Sequence, residues 1–154
     1  MNNDITCFYL DVALQESPTY SKVINADYEW LEECHSWIQR AFPNYEESVM
    51  VPDSPVLDDE TLDFLQRTCK EKIMDLVFKY LTHYGSITHQ NHIYHNNLRV
   101  TRLLKFLSLL GYNDMKNVVY KYCSNHLLHN IGSNDYNLNS IRFWNDALNY
   151  RREQ

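Results

Sequence analysis

A chain of 154 residues with 44% hydrophobic and 22% charged side chains can bury a proper core, which excludes a disordered or fibrous protein. Its formal net charge of −6, from 14 basic and 20 acidic residues, disfavours non-specific binding to nucleic acid or an anionic membrane by the chain as a whole. Three glycines and four prolines are too few for an all-β chain with many tight turns, and they favour helices.

The first apolar segment, residues 4–15, is compatible with either an extended strand or a helix start. Ser17 and Pro18 can cap and open a short helix that reaches about residue 25. Asp27 offers a cap for a second helix, residues 28–41. Its Trp30, Leu31, Cys34, Trp37, Ile38 and Ala41 follow one helical face, and Phe42-Pro43 ends it. Residues 43–57 hold three of the four prolines and read as an ordered extended connection that packs Val49, Val51, Val56 and Leu57 onto the helices. Asp58 caps a long third helix to about residue 83, with a stripe of Leu62, Leu65, Cys69, Ile73, Leu76 and Tyr80, and Gly85 stops it. A fourth helix spans residues 92–110 with Gly111 at its C-cap. Its second half is apolar almost all round (Leu103, Leu104, Phe106, Leu107, Leu109, Leu110) and is expected to be buried. A fifth helix covers residues 114–129, with Met115, Val118, Val119 and Tyr122 inward. Residues 132–138 read as a polar loop, and Asn139 or Ser140 caps a last helix carrying Ile141, Trp144 and Leu148. The prediction is an all-α, single compact helical domain of about six helices, residues 1–154, with a long ordered loop after the second main helix.

The four cysteines (Cys7, Cys34, Cys69, Cys123) are far apart and form no CxxC pair, so they read as reduced thiols in a cytoplasmic protein. The N-terminus has no basic n-region, and no segment is long enough to span a bilayer without charges.

One constellation bears on function. His35 and Gln39 are four apart and would share a face of the second helix. His95, Arg99 and Arg102 share a face of the fourth. If those faces meet, they make a pocket whose planar guanidinium forks suit a carboxylate or phosphate. The competing reading is a structural network in which Arg99 and Arg102 pair with Asp53, Asp58 or Glu32, and paired buried charges are commonly structural. His83, His89, His92 and His95 crowd one turn, but no HExxH or other tight ligand spacing is present, so no metal and no cofactor is expected. Cys123, His126 and His129 are spaced three apart and split between core and surface. No GxSxG and no glycine-rich phosphate loop supports nucleophilic or phosphoryl-transfer catalysis. Trp30, Trp37 and Trp144 read as core rather than as a base-stacking platform.

Two pairs of segments carry a resemblance. One is LEECHSWIQRAFP (31–43) followed by VPDSPVL (51–57). The other is HNNLRVTRLLKFLSLLGY (95–112) followed by SIRFWNDAL (140–148). In order and content they resemble the conserved domain of the opioid growth factor receptor family, and FYL (8–10) fits that family's entry segment. The chain has Arg40 and Ala41 where the family pattern places an aromatic and a leucine before Phe-Pro. The resemblance implies a small helical domain. The family's namesake is associated with an enkephalin peptide, and that peptide-receptor role is not carried over to this chain.

The functional expectation is a non-catalytic interaction domain with a protein or peptide partner. The alternative is a pocket protein for a small anion or nucleotide, using His35, Gln39, His95, Arg99 and Arg102. Nucleic-acid binding is disfavoured by the charge. If the cluster is neither, function falls on the exposed surface around residues 43–57 or the Tyr136 loop.

Overall fold

The computed structural model of the chain describes residues 1–152. Among them every regular element is helical, and there are nine α-helices rather than about six. The residues divide into two compact units, Met1–Tyr80 and Leu81–Gln154.

In the first unit the sequence-local signals set the helix starts. The lead-in is a helix, α1 (Asn3–Tyr9), because the Asn2 side chain accepts from Ile5 N and so caps its first turn. It buries Ile5, Phe8 and Tyr9. The Tyr9 hydroxyl donates to the carbonyl of Ala41. A short α2 (Tyr20–Ile24) follows. It starts after Thr19 rather than Ser17, with no side-chain cap. Asp27 caps α3 (Tyr28–Glu33) by accepting from Trp30 N.

The expected single helix over residues 28–41 is two helices. Cys34 leaves the helical region with ψ 118°, and α4 (Ile38–Ala41) is a separate turn. Trp37 accounts for the break. Its indole Nε1 donates to the Leu31 carbonyl at 3.1 Å, replacing the partner that an unbroken helix would supply from residue 35. Trp37 then sits in an aromatic cluster with Phe42 and Tyr80, at centroid distances of 6.2 and 6.0 Å.

Residues 43–57 form the expected long connection, but only Leu57 of its four named apolar side chains is buried, and Val49 is almost fully exposed. Asp58 caps α5 (Asp59–Thr68), accepting from Thr61 N at 2.7 Å. The long third helix bends at Cys69 into α6 (Lys70–Gly85). Backbone bonds from Cys69 to Leu65 and from Ile73 to Cys69 continue through the bend. The stripe of Leu65, Cys69, Ile73, Leu76 and Tyr80 is therefore buried as predicted, with Leu62 half-buried.

The second unit is built on α7 (Gln90–Leu110), α8 (Asn113–His126), a single π-helical turn (Leu127–Ile131) and α9 (Asp135–Ala147). Gly111 ends α7 in the left-handed region, φ +75°, where Tyr112 N reaches Leu107 O. A two-residue turn sends α8 back antiparallel. Its far end reaches the loop before α7, with His126 Nε2 2.7 Å from Ile87 O. Helix α9 then runs parallel to α7. Gln90, Asn97 and Ser108 on α7 bond in that order to Asn137, Ser140 and Ala147 on α9.

Leu103, Leu104, Phe106, Leu107 and Leu110 are core, whereas Leu109 is half-buried. On α8 the inward residues are Val119, Cys123 and His126. Val118 and Tyr122 are exposed, contrary to expectation, and Met115 is half-buried. Tyr122 instead lies over Gly85: a Cβ at Gly85 would stand 2.0 Å from its hydroxyl oxygen.

Residues 135–138 are helix rather than loop. Asn134 caps α9 by accepting from Asn137 N at 2.8 Å, so Asn139 and Ser140 sit inside the helix. Charge is split between the units. The first has six Lys and Arg against sixteen Asp and Glu, a balance of −10. The second has eight against four, a balance of +4.

Candidate functional site

The five residues of the predicted polar cluster are not alike in burial. His35 lies in the bend between α3 and α4 and is exposed, while Gln39 on α4 is 3% exposed. The break at Cys34 removes the continuous helix that was to hold both on one face. The Gln39 Oε1 atom is buried with no hydrogen-bond partner. On α7 the expected arc holds, since the helix is unbroken from Gln90 to Leu110. There Arg99 is 6% exposed, and His95 and Arg102 are half-buried. Among the described residues no His, Cys, Asp and Glu side chains gather into a group that could hold a metal ion.

The polar side chains of the motif helices hold the second unit together. Asn97, buried on α7, accepts from the Tyr84 hydroxyl at 2.9 Å and donates to Ser140 Oγ at 3.0 Å. Its backbone carbonyl accepts from Trp144 Nε1 at 3.0 Å. At the first residue of α7, the Gln90 and Asn137 amides pair reciprocally at 2.9 and 3.0 Å, and Asn137 also donates to Gly132 O at 2.7 Å. These bonds satisfy buried groups that would otherwise cost about 1–3 kcal/mol each.

A second arrangement lies on the outside of the same two helices. Tyr94, Leu98, Thr101 and Lys105 follow one line along α7, at spacings of four, three and four. Tyr136 and Phe143 are seven apart on α9 and share a face. Contacts pin both ends of the α7 line, one to Tyr136 on α9 and one to Tyr150 beyond it. Tyr94 and Tyr136 meet edge to face at 4.7 Å, with the Tyr136 hydroxyl donating to Tyr94 O at 2.9 Å. At the other end the Lys105 ammonium stands 4.9 Å from the Tyr150 ring centroid. Between these ends, Leu98 is 56% and Phe143 65% exposed, and Tyr94 and Tyr136 are 46% and 40% exposed. Burial raises the Tyr136 hydroxyl above its usual pKa, with the nearby Ser140 pulling the other way, so it remains a donor at neutral pH.

In the FW pair of the last motif, then, Trp144 serves the core and Phe143 faces out. Sequence reasoning missed this strip. Its signal is present in the large apolar residues off the core stripe of α7, but the polar composition of residues 132–138 points to a loop and hides the face that Tyr136 shares with Phe143.

A profile of the opioid growth factor receptor (OGFr) conserved region matches residues 11–154. The chain belongs to the opioid growth factor receptor conserved-region family. No curated protein and no solved structure matches it. In this OGFr-family chain the match spans both motif pairs, and hence the exposed strip and the buried Asn97 network alike. No helix among its described residues is long and apolar enough to cross a membrane.

Proposed function

We propose that this OGFr-family chain is a non-catalytic helical interaction domain that binds a protein or peptide partner. One observation carries the reading: the motif helices α7 and α9 spend Asn97, Asn137, Ser140 and Trp144 internally, yet leave Leu98 and Phe143 exposed between two pinned aromatic ends. Large apolar side chains held in such a patch mark an interaction site more often than scattered surface residues do. The test is a photo-crosslinking residue at position 98 of the full chain in its own cells. An adduct with a second protein is expected, and it should vanish when Phe143→Asp is added without loss of melting temperature. Absence of any adduct, or one indifferent to Phe143, would overturn the reading.

A second reading keeps α7 as the cationic wall of a small-anion site, and the burial of Arg99 beside half-buried His95 and Arg102 favours it. Its test is the melting temperature with and without inorganic phosphate. An anion-site Arg99→Ala loses the phosphate response and keeps its stability. A structural Arg99 loses about 3–5 kcal/mol on the same change.

A further inference from the structure

Resting on the interaction-domain reading, we infer that the α7–α9 strip docks one short amphipathic helix of a partner protein, with acidic residues flanking its apolar face. Three features of the surface specify this occupant. The first is length. Tyr94 to Lys105 is twelve residues of continuous α-helix, a rise of about 16 Å, which matches roughly three turns of a partner helix. The second is apolar spacing. Leu98 and Phe143 lie between the Tyr94–Tyr136 pair and the Lys105–Tyr150 pair, so a partner presenting apolar residues at i, i+4 and i+7 meets side chains at each turn. Both ends are held by contacts already made in the free chain, which lowers the ordering cost of binding.

The third is charge. Lys105 is in the strip, Arg102 is its neighbour one turn earlier on α7, and on α9 the exposed Arg142 adjoins Phe143 in sequence while the exposed Asp146 lies one turn on from it. The described part of this unit carries eight Lys and Arg against the three carboxylates Asp114, Asp135 and Asp146. An acidic helix is steered to such a surface and a basic one repelled. A second copy of the chain would bring the same basic flanks to its own, so charge disfavours a symmetric pairing through this face. An anionic membrane is attracted by the same flanks, and vesicle binding is therefore one of the outcomes tested.

The test uses the full chain and a labelled synthetic peptide of about 16 residues, with Leu and Phe at i, i+4 and i+7 and Glu at the remaining outer positions. Fluorescence anisotropy is expected to show saturable binding. Phe143→Asp or Leu98→Asp should weaken it at least tenfold with melting temperature unchanged, because both side chains are exposed in the free chain. A peptide with Lys in place of every Glu should bind at least tenfold more weakly, as should a scrambled one of the same composition.

Equal binding of the acidic, basic and scrambled peptides overturns the inference without reference to any variant. So does dimerisation of the chain, or binding to vesicles of phosphatidylserine, that is abolished by Phe143→Asp while the acidic peptide fails to bind. If the peptide fails but the position-98 crosslink still forms and still needs Phe143, the acidic helix is wrong and the interaction domain stands. If both fail, both readings fall.

Discussion

Asn97 joins Tyr84, Ser140, Trp144 and Thr101 through its amide and its carbonyl, and it is the residue on which the second unit's polar interior turns. Asn97→Ala strips the buried Tyr84 hydroxyl of an acceptor and Ser140 of a donor, so a loss of about 2–4 kcal/mol is expected in urea denaturation. Adding Tyr84→Phe should recover about 1 kcal/mol, because it removes one of the stranded groups. A single-variant loss below about 0.5 kcal/mol would mean that water fills the place of the amide. That Asn97 lies in a helix was legible from sequence. That it has these partners was not, since Tyr84 and Trp144 are distant in sequence and either could have found another acceptor.

The cysteines make a second test at this scale. All four are free thiols, with Cys7 and Cys34 half-buried and Cys69 and Cys123 buried. Burial pushes the Cys123 thiol far above its usual pKa and raises Cys69 as well, where Lys72 partly offsets it. A thiol reagent at neutral pH should therefore modify Cys7 and Cys34 first and Cys123 last, with four thiols reacting only after denaturation. Early labelling of Cys123 in the native protein, read by peptide mass mapping, would contradict the packing of α8.

Helix starts followed local chemistry where a side chain could reach its own backbone. Asp27 and Asp58 cap as their positions predicted, and Gly111 closes α7 because only a residue at ease with positive φ continues the turn there. Asp58 gives this a pH signature. Burial opposes its charge, but hydrogen bonds from Thr61 and the nearby N-terminal ammonium outweigh that and hold the carboxyl below its usual pKa. A folded-state pKa below the unfolded one adds stability at pH above the unfolded value. That stability is lost as pH falls through the folded value. Asp58→Asn keeps an acceptor for Thr61 and removes the charge, so its stability deficit relative to the wild type should disappear in acid. A deficit that stays constant as pH falls through the carboxylate range would contradict the charge-based account. Where the element boundaries departed from expectation, one of several competing partners had been taken. The helix over residues 28–41 broke because the Trp37 indole took the Leu31 carbonyl. Helix α9 began at Asp135 rather than near Asn139 because, of several competent caps, Asn134 was the one in place while Asn137 was committed to Gln90. The missed strip is a consequence of that one boundary.

At the scale of the molecule, burial is uneven and local stability should follow it. Leu103, Leu104 and Leu107 on α7 are fully buried, and residues 45–53 contain no buried side chain. Amide hydrogen exchange should be slowest in the second half of α7 and fastest in residues 45–53. An exchange map in which the two segments are protected alike would reject this distribution of the core. The amino-acid sequence by itself determined the helical class, the family, the buried face of α7 and the net charge. These depend on composition and on the 3.6-residue period, which any packing of the same helices would preserve. Tertiary structure decided which apolar residues stayed outside. Leu98 and Phe143 differ from Leu104 and Trp144 only by a rotation about their helix axes, and that rotation is set by the neighbours each helix meets. It also decided which cap and which carbonyl were used, because several local partners of similar strength were available and only packing separated them.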